Sequence, residues 1–335
     1  MLATYLPVIW ALLIATAVAL YVVLEGFNLG IGILFPFARK ESERDQMMNS
    51  VAPFWDGNET WLVLGGGGLW VAFPKAYAII MPAFYLPVIV MLLSLIFRGV
   101  SFEFRFVSKP HHRLWDFAFF GGSTLAAFAQ GVILGGLIQG VTVVGGQFAG
   151  GPYDWATPFA LGCGVALIAG YALLGACWLI FKTDGAVQAR ARMEAKVLIL
   201  AVMVAIAGVS LWTPFGIERI GLRWFTPPNI WFLWPVPLIT VGLGIMVWRG
   251  LEGKHDLTPF VGTVGLFALS YLGLAISTFP YLVPPTITLW DAAAVPDSQI
   301  FTLIGTVIML PIILGYFAFV FWTFRGKVTA EGGYH

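Results

Sequence analysis

Apolar residues run along this chain in stretches long enough to cross a bilayer core of roughly 30 Å, and short polar segments separate them. The pattern predicts nine helical spans: Leu6 to Leu34, Trp55 to Phe73, Ala76 to Phe97, Phe117 to Val144, Trp155 to Phe181, Val197 to Trp212, Ile230 to Trp248, Leu257 to Thr278 and Ile300 to Phe321. Only Pro74 and Lys75 divide the second span from the third. Proline favours a break there because it pushes the preceding residue out of the helical region. The connections are short and carry no low-complexity sequence, and no internal repeat stands out. The expected fold is therefore all-α, a single integral-membrane bundle over residues 1–335.

Composition narrows this further. With 59% hydrophobic and 10% charged residues and a mean hydropathy of +0.88, the chain has no room for a sizeable soluble domain. A net charge of +1 offers nothing to a nucleic acid. No basic segment with a small-residue cleavage site precedes the first apolar run, so the N-terminus reads as part of the mature chain.

Lysine and arginine test the span count. With the N-terminus outside, 15 of the 18 fall on the inner side, from Arg39, Lys40 and Arg44 through Arg98, Arg105, Lys109 and Arg113 to Arg325 and Lys327. Lys75, Arg219 and Arg223 fall outside. That bias supports nine spans with a periplasmic N-terminus and a cytoplasmic C-terminus. Fusing the second and third spans would put every later basic loop on the wrong side.

Glycines Gly65 to Gly68, and Gly131, Gly135, Gly136 and Gly140, read as close helix contacts, with backbone approach to a cofactor as the alternative. Cys163 and Cys177 share one predicted helix ~21 Å apart and cannot bridge one another. His111, His112, His255 and His335 all lie outside the spans, so the chain offers no obvious imidazole to a buried haem iron. Methionine could ligate, but nine methionines in so apolar a chain read mostly as packing.

The chemistry-bearing residues gather at span ends on the inner side. Glu25 and Asn28 share one face of the first span. Ser50 to Trp61 sets Asp56, Asn58 and Glu59, beside Trp55, at the mouth of the second. A charged side chain in hydrocarbon costs at least ~2.5 kcal/mol, so such acids need a partner, a water path or a role. They read either as helix caps or as an acidic entrance for protons. Arg98, with Arg105, reads as a positive-inside anchor, and Glu103 as an anchor neighbour or a further member of the entrance. Asp116 reads as a cap of the fourth span, and Gln130 and Gln139 as links to neighbouring helices.

These residues, in this order, resemble subunit II of the cytochrome bd-type quinol oxidases. Glu25-Gly26-Phe27-Asn28-Leu29-Gly30-Ile31-Gly32 is similar to the family's DGFDxGxG segment, and Ala52-Pro53-Phe54-Trp55-Asp56-Gly57-Asn58 to its APxWDGN signature. Phe97-Arg98 with Phe102-Glu103-Phe104-Arg105 resembles FRxxxFDYR. Trp115-Asp116, Gln139-Gly140, Phe279-Pro280-Tyr281, Trp290-Asp291 and Pro311-Ile312-Ile313 continue the match. The resemblance implies a heterodimeric terminal oxidase of a bacterial cytoplasmic membrane that oxidises quinol and reduces oxygen to water. It places the b- and d-type haems and the quinol site in subunit I, and no catalytic residue or metal ligand in this chain. Subunit II would stabilise that partner, hold a quinone or lipid, associate with a small single-span subunit, and carry a proton path through Asn28, Asp56 and Glu103 with Glu25 beside them. Asn28 departs from the aspartate of the better-known branch, and an amide cannot relay a proton as a carboxylate does. That variant and the chain's shortness resemble the cyanide-insensitive branch.

A rival expectation is an ion-coupled secondary transporter, which would show broken spans at matching positions of two repeated halves. A purely structural scaffold with capping acids is the other.

Overall fold

The structure is a computed structural model that describes residues 2–108 and 112–329. Lys109, His111 and His335 lie outside the described residues. The chain is a helical bundle. Helix α1 (Leu2–Leu34) leads through a 3-10 turn (Phe35–Phe37) to α2 (Glu41–Asn49) and α3 (Trp55–Ala72). Next come α4 (Pro74–Ala83), α5 (Tyr85–Val107) and α6 (Arg113–Gln139), and a hairpin of β1 (Val143–Val144) and β2 (Gln147–Phe148). The second half holds α7 (Pro158–Lys182), α8 (Gly185–Gly216), α9 (Glu218–Phe225), α10 (Asn229–Leu233), α11 (Pro235–Glu252) and α12 (Leu257–Thr278). A hairpin of β3 (Tyr281–Val283) and β4 (Ile287–Thr288), then α13 (Leu289–Ala292) and α14 (Pro296–Thr323), complete it.

Among the described residues, eight helical segments are long and apolar enough to cross a membrane, α10 and α11 together counting as one. Helix α3, ~27 Å long, is the ninth; Asp56, Glu59 and the glycine run lower its hydropathy. The expected spans are thus present, with α12 matching its predicted bounds. Elsewhere the boundaries differ for local reasons. The predicted fourth span ends at Gln139 because Gly140 takes a φ of 107° and turns the chain into the first hairpin. The third is broken into α4 and α5 at Phe84, and the seventh into α10 and α11 at Trp234, just before Pro235. Helix α8 is 32 residues long, so its first turns lie beyond the predicted span.

Helices α1 and α7 cross at the centre. A Cβ on Gly30 would lie 1.8 Å from the Tyr171 carbonyl oxygen, and one on Gly175 would lie 2.4 Å from Gly30 backbone, so only glycine permits this approach. Gly131 meets the backbone of Cys163 and Gly164 in the same way, and Gly68 meets Ile14. Gly66 and Gly67 have open space around them, so packing inside the chain does not account for the whole glycine run. Cys163 and Cys177 are buried free thiols on α7.

The two ends of the bundle differ. At one, Trp290 donates to the Thr4 carbonyl at 3.1 Å, and Arg219 reaches the Ile138 and Ser277 carbonyls, placing a cation at the negative ends of α6 and α12. Burial holds the Arg219 guanidinium below its ordinary value. At the other end, basic residues from separate segments meet acids. Arg105 is bound by Glu41 at 3.0 Å, Asp45 at 2.5 Å and Asp116 at 2.6 Å, and Arg44 bridges to Asp116 at 3.3 Å. Asp116 therefore acts as an ion-pair partner of two arginines, where a cap was expected. Burial pushes the Glu43 carboxyl up, but hydrogen bonds from Arg190 and the Arg39 amide outweigh it and hold Glu43 below the usual carboxylate range. The chain after α14 straps across this end: the Val328 amide donates to the Lys182 carbonyl at 2.7 Å, Gln46 donates to the Val328 carbonyl at 2.7 Å, and Lys327 binds Asp256 at 2.6 Å.

Candidate functional site

The site lies where α1, α3 and α5 meet. Glu25, Asn28, Asn58 and Arg98 are each 0% exposed. Arg98 Nη2 lies against Glu25 Oε1 in an ion pair, and Asn28 Nδ2 donates to Glu25 Oε2 at 3.0 Å. From α3, Asn58 Nδ2 donates to the Leu24 carbonyl at 2.9 Å, fixing that helix beside the acid. Glu59 Oε1 is 3.8 Å from Arg98 Nη2, and its side chain is 36% exposed, so it connects the buried pair to the outside.

Helix periodicity produces this arrangement. Glu25 and Asn28 stand one turn apart on α1, so the amide reaches the carboxylate. On α3, Asn58 turns inward while Asp56 and Thr60 are exposed, and Glu59 lies at the boundary. Trp55 and Phe102 stack at 5.1 Å, and the Arg98 guanidinium carbon lies 5.8 and 5.7 Å from their ring centroids, a cation–π arrangement that offsets part of the desolvation.

The pair is not saturated. Arg98 Nε and Nη1, Asn28 Oδ1 and Asn58 Oδ1 are buried with no hydrogen-bond partner in the protein among the described residues. Arg98, expected as a positive-inside anchor, is thus enclosed completely and faces an acid 73 positions earlier. The structure brings together Glu25, Asn28, Asn58, Glu59, Arg98 and Trp55. It does not bring Asp56 or Glu103 into this contact set: both are exposed, and neither makes a hydrogen bond or ion pair among the described residues.

One turn before Glu25 on α1, Tyr21 extends the polar chain inward. Tyr171 donates to Gln130 Oε1 at 2.8 Å, and Gln130 Nε2 donates to Tyr21 Oη at 2.9 Å, linking α7, α6 and α1. Gln130 was expected to join helices; Tyr21 was missed, and its i, i+4 spacing to Glu25 was the available signal. Gln139 bonds the Thr157 hydroxyl next to the first hairpin.

Near the strapped end, a cavity of about 280 Å³ lies between α1, α7, α12 and α14, lined by Phe27, Trp178, Phe181, Phe260 and Phe321, with Lys182 and Arg325 at its polar edge. Phe27 stacks on Trp178 at 4.0 Å. Among the described residues no group of three or more His, Cys, Asp or Glu side chains could hold a metal ion.

Comparison with known proteins places nearly the whole chain. The family model for cytochrome bd terminal oxidase subunit II matches residues 6–324. The chain is 30% identical to cytochrome bd-I ubiquinol oxidase subunit 2 of Escherichia coli K12, over 96% of this chain and 95% of the relative. It is 27% identical to cytochrome bd ubiquinol oxidase subunit 2 of Bacillus subtilis 168, over 96% of each chain. A solved structure of bd oxidase from Geobacillus thermodenitrificans superposes with a TM-score of 0.74 at 16% identity, covering 95% of this chain and 98% of that one, which shows a shared fold. With eight helical segments of spanning length among the described residues and these bacterial relatives, the chain is a multi-pass protein of the bacterial inner membrane. Matched along nearly its whole length, it belongs to the cytochrome bd terminal oxidase subunit II family, whose complexes oxidise quinol and reduce oxygen.

Proposed function

We propose that this chain supports a haem-bearing subunit I, with its b- and d-type haems, and supplies a cytoplasmic proton entrance to it. The observation that carries the reading is the buried Glu25–Arg98 pair, open to the exterior through the half-exposed Glu59. In the proposed orientation the N-terminus is periplasmic, and the end crowded with ion pairs faces the cytoplasm.

In this reading Asp56 and Glu103 are the outer acids and Glu59 is the link inward. Glu25 is the titratable group of the interior. Asn28 does not carry a proton; its amide holds one Glu25 oxygen so that the other faces Arg98. The unpartnered donors of Arg98 and the carbonyl oxygens of Asn28 and Asn58 require hydrogen bonds that the protein does not supply, and water is the smallest molecule that meets them. When Glu25 takes up a proton the Arg98 charge loses its acid, and Glu59 at 3.8 Å, with water at the free Arg98 donors, is what can balance it there.

The aromatic cavity beside Lys182 has the apolar walls and flat facing rings that suit a quinone ring or a lipid chain. The Lys182 ammonium is already bonded to the Gly326 carbonyl at 2.8 Å and to that of Phe324, so it would border such a group and would not bind it as an ion. We also place the chain in the cyanide-insensitive branch, on Glu25-Gly26-Phe27-Asn28, and pair it with a small single-span subunit.

The test is Asp56→Asn in the assembled complex. Asp56 is exposed and its side chain makes no hydrogen bond or ion pair among the described residues, so haem content is expected to stay at the parent level while quinol-driven oxygen uptake falls by a factor of ~100, the low end for a lost proton-transfer group. Unchanged uptake per haem would remove Asp56 from the path.

A further inference from the structure

We propose that the end of α11 and the loop leading to α12 form a binding site for the phosphate of an anionic glycerophospholipid, with one acyl chain lying along α11. The site is an open groove of about 450 Å³ lined by Gly242, Ile245, Met246, Arg249, His255 and Thr258. Its mouth is cationic. Arg249, Lys254 and His255 are exposed, and none of their side chains makes an ion pair or hydrogen bond among the described residues.

The acids that could neutralise them are engaged elsewhere. Glu252 faces Lys196 at 3.7 Å, and Asp256 is held by Arg192 and Lys327, each at 2.6 Å. These ion pairs, with a hydrogen bond from Lys327 the largest favourable cause, overcome burial and keep the Asp256 carboxyl below its ordinary value, so it stays committed to them. An arginine guanidinium suits a phosphate diester because its donors are fixed in a planar fork. A histidine beside it donates a hydrogen bond in either protonation state.

The groove points to a lipid more than to a soluble anion. From Arg249 to Gly242 it runs ~10 Å along the helix axis, from the cationic mouth into the spanning segment. Along it Ile245 is 50% and Met246 36% exposed, and a Cβ on Gly242 would meet nothing within 4 Å. A free phosphate would use the cations and leave the apolar trough unused. A phosphatidylglycerol-type lipid uses both, and cations at a membrane surface attract anionic headgroups. This inference does not depend on the proton path.

The experiment uses the assembled, delipidated complex titrated with dioleoyl-phosphatidylglycerol, with bound lipid counted by native mass spectrometry and haem content reporting integrity. Dioleoyl-phosphatidylcholine and inorganic phosphate form the other arms. The parent is expected to retain the anionic lipid preferentially. Arg249→Gln is expected to weaken its tightest binding by roughly tenfold, as for one lost charge-assisted contact. Gly242→Leu, which the fold accommodates, is expected to weaken it similarly by filling the trough while keeping every charge. Equal retention of phosphatidylcholine would overturn the proposal, as would parent-level binding in both variants. Loss in Arg249→Gln with none in Gly242→Leu, and displacement by inorganic phosphate, would show a soluble-anion site and would also overturn it.

Discussion

Arg98 and Arg105 stand two turns apart on α5, each preceded by phenylalanine, and each is almost fully buried, at 0% and 1% exposure. Their surroundings are opposite. Arg105 has three carboxylates, Glu41, Asp45 and Asp116, within 3.0 Å, so its donors are matched by acids from α2 and α6. Arg98 has one acid in contact, a second at 3.8 Å, and two nitrogens without a protein partner. A saturated arginine is a clamp that ties α2, α5 and α6 together. An unsaturated one, enclosed beside a carboxylate, is left with donors that the protein does not satisfy. In the proposed reading, the difference separates a structural cation from a functional one on the same helix.

The comparison can be broken most sharply at Arg98 itself. Arg98→Met leaves the Glu25 carboxylate buried without its cation, a loss of about 3–5 kcal/mol for breaking a buried pair. The expected outcome is little assembled complex, read as haem recovered per milligram of purified membrane protein. Arg105→Met is expected to cost less, about 1–3 kcal/mol, because Glu41 and Asp45 are 40% and 29% exposed and water can take over their hydrogen bonds. Its complex should assemble with a lowered melting temperature and near-parent turnover per haem. If Arg105→Met removed turnover while Arg98→Met did not, the contrast would be reversed.

The smallest effect is expected at the strap. Asp256 has a carboxyl held below its ordinary value, so its pairing is fully present above the unfolded aspartate value near ~3.9 and is lost as pH falls through the still lower folded value. Protection of the Val328 amide, bonded to the Lys182 carbonyl, is expected to hold at pH 5 and to drop in hydrogen exchange only as pH falls below the unfolded aspartate value. Lys327→Gln should shift that loss to higher pH.

The nine-span pattern was legible because a bilayer enforces long apolar runs and cytoplasmic cations, and α12 falls at its predicted bounds. The breaks at Phe84 and Trp234 were less visible, since a proline three residues on, Pro87, or one residue on, Pro235, permits a break without requiring one. Helix α2 was missed because Glu41 to Asn49 is polar and short; the acids that bind Arg105 and Arg190 hold it in place. Glu25, Asn28, Asp56, Glu59 and Arg98 were all named from the sequence, but not which of them touch. Arg98 reads locally as a membrane anchor, because nothing near it in sequence shows that it pairs with Glu25. Burial of that pair depends on how α1, α3 and α5 pack, which one chain's periodicity does not specify.

The most direct test removes both charges at once. Glu25→Gln with Arg98→Met keeps the volume and leaves no uncompensated buried ion, so the complex is expected to assemble with its haems, as replaced buried pairs commonly do. If the pair is part of the proton path, quinol-driven oxygen uptake per haem in this double variant falls by at least ~100-fold. Parent-level uptake per haem would contradict the account and make the pair a purely structural link between α1 and α5.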